Sequence, residues 1–207
     1  MDTLQKVNAI QNKLFNPENG FLYDGLMPDG TPVTTMSPHA ATMAILQDFM
    51  PEQHQFWLDQ VLLPFIKGNR EIELKPTSYF MFYVFEALKK MGKRQEILVC
   101  IRRWWKDFLD IGCSTTPESW PEQLDRGFWS MCHAWSAHPI YHFSDLILGV
   151  TPVAPGWKKI KFDPVMTKGE KACGTIPSPL GLIRVEWDWT GEEPTQKIEI
   201  PSGMEII

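Results

Sequence analysis

The chain has 207 residues, 43% hydrophobic and 22% charged, with a formal net charge of −5 at pH 7. Those are the proportions of a soluble globular protein, with room for one large domain or two small ones. The mild acidic excess leaves no basic footprint for nucleic acid, and no apolar run approaches the roughly 18 residues that a membrane span needs.

The opening stretch, MDTLQKVNAIQNKLF, has an acid at position 2 and no apolar core or cleavage site, so it does not read as a signal peptide. Leu4, Val7, Ile10 and Leu14 instead share one face at helical spacing, and the helix they predict ends in the breaker cluster NPENG. FLYDGLMPDGTPVTT, with its Gly, Pro and Asp residues, must be loop. SPHAATMAILQDFM then starts with Ser37 as N-cap and Pro38 at the first helical position. PEQHQFWLDQVLLPFIKG follows almost at once, and the two segments predict a helical hairpin.

A second hairpin comes next. PTSYFMFYVFEALKKMG ends at Gly92 with Lys89 and Lys90 in its last turn, where cations suit the helix dipole. KRQEILVCIRRWWKDFLDIG carries an apolar stripe of Ile97, Ile101, Trp104, Trp105 and Phe108. After a Pro-containing loop over 113–127, GFWSMCHAWSAHPIYHFSDLILG predicts a helix pair or one helix kinked at Pro139. This makes about six helices with no fixed-period repeat, which argues against a regular solenoid and for an irregular toroid or bundle.

The pattern changes at VTPVAPG. WKKIKFDP, LGLIRVEWDW and TQKIEIPSG alternate apolar and polar residues, which predicts half-buried antiparallel strands. Ile183, Val185, Trp187 and Trp189 fall on one face, and Arg184, Glu186 and Asp188 on the other. The expected organisation is α + β, with a helical-hairpin domain over 1–149 and a β module over 150–207. So short a β segment is thin for an independent sandwich and is expected to lean on the helices.

The chemistry-bearing residues concentrate in STTPESWPEQLDRGFWSMCHAWSAH, at 114–138. Pro117 and Pro121 bracket Glu118, which places it on a loop between helices. There it fits either a solvated loop glutamate or a desolvated acid–base group beside Trp120. The tryptophans of this region, Trp104, Trp105, Trp120, Trp129 and Trp135, suit stacking on the C–H faces of sugars, but such a cluster is more often core. His133 fits a core histidine bonded to a carbonyl or a polar contact in a site, and Glu122 and Asp125 fit partners or surface charges. Pro139 separates His138 from His142, and no HExxH is present, so no metal site is expected. Cys100, Cys113, Cys132 and Cys173 match no zinc or disulfide pattern and are expected as free thiols of a reducing compartment.

Several stretches resemble the C-terminal part of bacterial α-L-rhamnosidases, glycoside hydrolase family 78. SMCHAWSAHPIYHFSDLILGVTPVAPGWKKIKFDP, at 130–164, is similar to that family's S-L-C-H-G-W-S-A-G-P segment and the L-G-V-x-P-x-x-P-G-F/W that follows it. GTIPSPLGLIRVEW is similar to the opening strands of its C-terminal β-domain. SPHAATMAI, PTSYFMFYVFEALKKMG and STTPESW resemble its hairpins and its T-T-x-x-E-x-W/F loop.

The resemblance implies part of an (α/α)6 barrel followed by an antiparallel β-sandwich-like module. It also implies inverting hydrolysis of a terminal L-rhamnose or similar sugar, with no cofactor or metal. In that mechanism one carboxylic acid protonates the leaving oxygen and a second carboxylate activates water, about 6.5–9.5 Å away. By position Glu118 matches the general base, with Trp120 and Trp135 as aromatic contacts and His133 as a polar contact to the sugar or the base. Two departures accompany the match. Nothing here resembles the family's general-acid segment, and the predicted helices are about half of those the barrel needs. Pro117 also stands where the family has a bulky residue, and His138 where it has glycine. The chain therefore reads as a C-terminal portion with little hydrolysis of its own. It is expected to cover its exposed helix faces by self-association or with a preceding region. The alternative reading is a non-catalytic carbohydrate-binding or structural module derived from that fold.

Overall fold

The structure is a computed structural model and describes residues 9, 12–68, 74–124 and 129–207. Leu4, Val7 and Ile10 of the first expected helix lie outside the described residues, as does Asp125. The chain divides into two compact units, Met1–Ala137 and His138–Ile207.

The first unit is built on helices. Helix α1 (Pro38–Leu46) starts as its sequence predicts, with Ser37 as N-cap accepting from the His39 N–H and Pro38 in the first turn. It is followed by a 3-10 turn at Pro51–Gln53 and a run of three helical pieces: α2 (His54–Trp57), a π-helical stretch (Leu58–Leu62) and α3 (Leu63–Ile66). The π stretch has a cause in the sequence. Pro64 has no N–H to give to the carbonyl four residues back, and its ring would collide with that carbonyl. Widening the preceding turn relieves both problems. This run buries Trp57, Leu58, Val61, Leu62, Phe65 and Ile66, with Trp57, Leu58 and Leu62 all at 0% exposure. The Trp57 indole also ties the upstream loop down, donating to the Gly20 carbonyl at 2.8 Å.

Helix α4 (Met81–Lys90) buries Met81, Val84, Phe85, Ala87 and Leu88 and packs on α1. Gly92, at φ 72°, turns the chain into α5 (Arg94–Asp110). The stripe expected on α5 is present: Ile97, Ile101, Trp104 and Phe108 are buried and Trp105 is half-buried. Each such buried side chain contributes roughly 1.5–3 kcal/mol of transfer free energy, which holds the α4–α5 hairpin together. Cys100 is enclosed in that packing, and burial pushes its thiol well above the usual range, so it is inert.

Between α5 and the second unit, the only helical pieces among the described residues are α6 (Pro121–Leu124) and a 3-10 turn at Ala134–Ala137. The sequence expectation of a helix pair or one kinked helix over 127–149 is corrected here. Pro139 does not kink a helix; it opens one, α7 (Pro139–Leu146), at a first-turn position where its missing N–H costs nothing.

The second unit contains α7 and six strands. Strands β1 (Val150–Pro152), β2 (Lys159–Phe162) and β6 (Glu205–Ile206) form one sheet. Strands β3 (Lys171–Ser178), β4 (Gly181–Asp188) and β5 (Thr195–Glu199) form the other. All pairs are antiparallel except β2 with β6, which is parallel. The two sheets share one core of Val150, Ile160, Ile176, Ile183, Val185, Trp187 and Met204. On β4 the alternation is as the sequence dictates, with Ile183, Val185 and Trp187 inward and Arg184 and Glu186 outward. Trp189 lies past the strand end and is half-buried. Trp187 reaches over to the end of α7, its indole donating to the Ile147 carbonyl at 2.7 Å. Gly149 makes the turn from α7 into β1 possible: at φ 70°, a Cβ there would stand 2.2 Å from the Pro164 nitrogen.

Candidate functional site

The loop that holds Glu118 is fixed by two strand-like segments lying side by side. The Glu118 N–H donates to the Ser130 carbonyl at 2.8 Å, and the His133 N–H donates to the Thr116 carbonyl at 2.9 Å. Thr115 and Thr116 add hydroxyl donors to the carbonyls of Met131 and His133. Pro117, which has no N–H to satisfy, sits buried between these bonds. The Pro-bracketed stretch is therefore a stiff loop, as the sequence implies.

Ser78, in the turn leading into α4, anchors this loop. Its fully buried hydroxyl lies 2.8 Å from the Pro117 carbonyl, 2.9 Å from that of Glu118 and 2.9 Å from Ser136 Oγ. Ser136 Oγ in turn is 3.3 Å from His133 Nδ1. Nothing in the spacing of PTSYFMF marks Ser78 as a loop anchor, because the contact is between segments some forty residues apart in sequence.

The Glu118 side chain is half-buried, and its Oε2 accepts from the Ser130 N–H at 3.1 Å. Its Oε1 has no hydrogen-bond partner among the described residues, and neither has His133 Nε2. The His133 ring lies 5.4 Å from Tyr79, and Tyr79 and Tyr83 each lie 5.8 Å from Trp135. Trp135 is 48% exposed, so it presents ring surface to solvent. Tyr79, in the turn just before α4, and Tyr83, in its first turn, belong to this aromatic group and were not singled out by the sequence. In PTSYFMFYVF they are indistinguishable from the core aromatics beside them.

Trp120 does not belong to that exposed group, and the expectation that it walls a ligand site is corrected. Its ring is 0% exposed, stacked on Phe108 at 5.4 Å and met edge-on by Trp104 and Trp105. Its indole N–H donates to the Pro76 carbonyl at 2.7 Å. With both faces and its one donor occupied, it acts as the core pin that fastens the Glu118 loop to the hairpin beneath. Lys75 lies over the Trp104 ring at 4.3 Å and pairs with Glu122, which makes Glu122 a surface ion-pair partner.

A hollow of about 440 Å³ is bordered by His133 together with Trp105, Phe108, Thr116 and Ala134; neither Glu118 nor Trp135 lines it. In the second unit His138 and His142 are buried with their rings edge-to-face at 5.2 Å. Among the described residues no three His, Cys, Asp or Glu side chains are grouped to hold a metal ion.

Residues 149–207 match the family model described as the bacterial alpha-L-rhamnosidase C-terminal domain. An alpha-L-rhamnosidase of Alteromonas sp. (strain LOR) is 34% identical over 104 residues, which is 47% of this chain and 11% of that protein. Among solved structures, the GH78 family rhamnosidase of Bacillus sp. GL1 superposes with a TM-score of 0.83 at 25% identity, over 96% of this chain and 21% of that one. The alpha-L-rhamnosidase of Dictyoglumus thermophilum superposes with a TM-score of 0.70 at 21% identity, over 83% of this chain and 20% of its own, a likeness of fold. The chain thus spans about a fifth of the length of these structures. In sequence and in fold, it resembles the C-terminal part of α-L-rhamnosidases.

Proposed function

We propose that this chain is the C-terminal portion of an inverting α-L-rhamnosidase-like glycoside hydrolase, contributing the general base and one aromatic side of the sugar site. The helices of Met1–Ala137 are on this reading part of an (α/α)6 barrel. Glu118 acts as the base, drawing a proton from water as that water attacks the anomeric carbon from the face opposite the leaving oxygen. The observation that carries the reading is the condition of this carboxylate. One oxygen is held by the Ser130 N–H on a stiff loop and the other has no partner among the described residues. One oxygen thus orients the group and leaves the other available for water. Trp135 offers its ring face to the C–H surface of the sugar, and His133 offers a hydrogen bond through Nε2.

A second carboxyl group must protonate the leaving oxygen, and a chain lacking it forfeits roughly 10²–10⁴-fold in rate. On its own the chain is therefore expected to hydrolyse an aryl α-L-rhamnoside only slowly. The assay compares wild type with Glu118→Gln. A residual rate that falls at least tenfold in the variant supports the enzyme reading. Equal background rates in both reject it in favour of a module that only binds sugar or scaffolds the fold.

A further inference from the structure

A second hydrogen-bonded constellation stands at the start of α1. Asp24 Oδ1 accepts from the Ser37 N–H at 3.0 Å and from the Ser37 hydroxyl at 2.6 Å. That commits the only hydroxyl proton of Ser37. The 2.9 Å contact between Ser37 Oγ and His39 Nδ1 then requires the imidazole to be the donor. The neutral ring is thereby fixed as the Nδ1–H tautomer, with an unprotonated Nε2 that has no partner among the described residues. Burial holds the His39 pKa below the usual imidazole value, against the pull of the Asp24 charge, and so favours this neutral form.

Helix capping alone does not account for the arrangement. Capping α1 requires only the Ser37 side chain, yet Asp24 is brought in behind it with its other oxygen, Oδ2, buried and unpartnered among the described residues. A carboxylate oxygen so placed is costly, as is typical of side chains whose geometry serves a site. The His39 ring lies 4.2 Å from Phe80, Phe80 lies 5.3 Å from Tyr83, and Tyr83 lies 5.8 Å from Trp135. The start of α4 thus carries a continuous aromatic strip with the His133 imidazole at one end and the His39 imidazole at the other. Ring faces for C–H surfaces, flanked by oriented hydrogen-bonding groups, are what a saccharide requires.

We propose that His39 is a further ligand-binding residue of this site, accepting through Nε2 a hydrogen bond from a hydroxyl of a saccharide lying along the strip. Ser37 and Asp24 are positioning residues that set its tautomer. The proposal rests on the carbohydrate reading above.

The test titrates the full chain with nitrophenyl α-L-rhamnoside and follows the imidazole nitrogens by long-range ¹H–¹⁵N NMR. The free protein should show His39 as the Nδ1–H tautomer, and ligand should move the Nε2 signal toward the hydrogen-bonded range. His39→Ala should weaken binding about 3- to 10-fold, the worth of one net hydrogen bond, while His39→Gln retains most of it. Ser37→Ala should mix the tautomers and weaken binding by less. Suppose instead that the wild-type Nε2 signal stays still and His39→Ala binds normally, while Trp135→Ala loses binding. The assignment to His39 is then overturned and the carbohydrate reading stands. A wild type that binds no rhamnoside removes both. The wild-type signal needs no variant, so a misfolded substitution cannot mask the answer.

Discussion

Replacing Trp120 separates a core pin from a ligand wall. The ring is fully buried, packed against Phe108, Trp104 and Trp105, and its N–H is bonded to the Pro76 carbonyl. Trp120→Ala removes that volume from among three large aromatic rings, with Lys75 Nζ 5.2 Å over the ring, none of which can readily collapse into the space. The expected loss is about 3–5 kcal/mol, a large part of the 5–15 kcal/mol typical of a domain. Trp120→Phe keeps most of the volume but strands the Pro76 carbonyl, for about 1–3 kcal/mol. Trp135→Ala, at a ring 48% exposed, should cost well under half of the Trp120→Ala loss. Urea unfolding followed by circular dichroism and fluorescence gives the midpoints for all three. If Trp120→Ala unfolds within about 1 kcal/mol of wild type, the core assignment fails and the ring must be freely accessible.

Acid should weaken the first unit in part through His39. Its folded pKa lies below the ordinary imidazole value because burial disfavours the cation, with Asp24 the one charge opposing that effect. A proton therefore binds the unfolded chain more readily than the folded one. The stabilising contribution is complete above the unfolded value of about 6.5 and is lost as pH falls through the lower folded one. The unfolding free energy should thus fall less steeply between pH 7 and pH 5 in His39→Gln than in wild type, and equal slopes would count against the burial effect. The outer side of α5 and its end expose Val99, Leu109 and Ile111 at 57%, 72% and 53%. Size-exclusion chromatography with light scattering should show self-association of the isolated chain, and a clean monomer at tens of micromolar would contradict it.

Much of the architecture was legible because it is local. Ser37 and Pro38 at the start of α1, the stripe from Ile97 to Phe108, and the alternation along Ile183–Trp187 follow from side-chain period and backbone chemistry that any short window contains. Pro139 was legible as a breaker but not as a helix start. The same missing N–H kinks a helix from within and suits its first turn, and only the neighbouring chain decides which applies. The pairing of β2 with β6 escaped the pattern because a two-residue strand has no period to read.

The candidate site divides along the same line. Sequence alone placed Glu118 on a proline-stiffened loop and put His133 and Trp135 in the same short stretch. It could not rank Trp120 against Trp135, since both are indoles beside titratable groups and differ only in what surrounds them: 0% exposure for one and 48% for the other. Nor could it join Ser78 to the Glu118 loop, or Asp24 to Ser37, as binding partners. Chain order governs propensity, capping and alternation, which act over a few residues. Burial and hydrogen-bond partnership depend on distances across the fold, and those are set only when distant segments pack together.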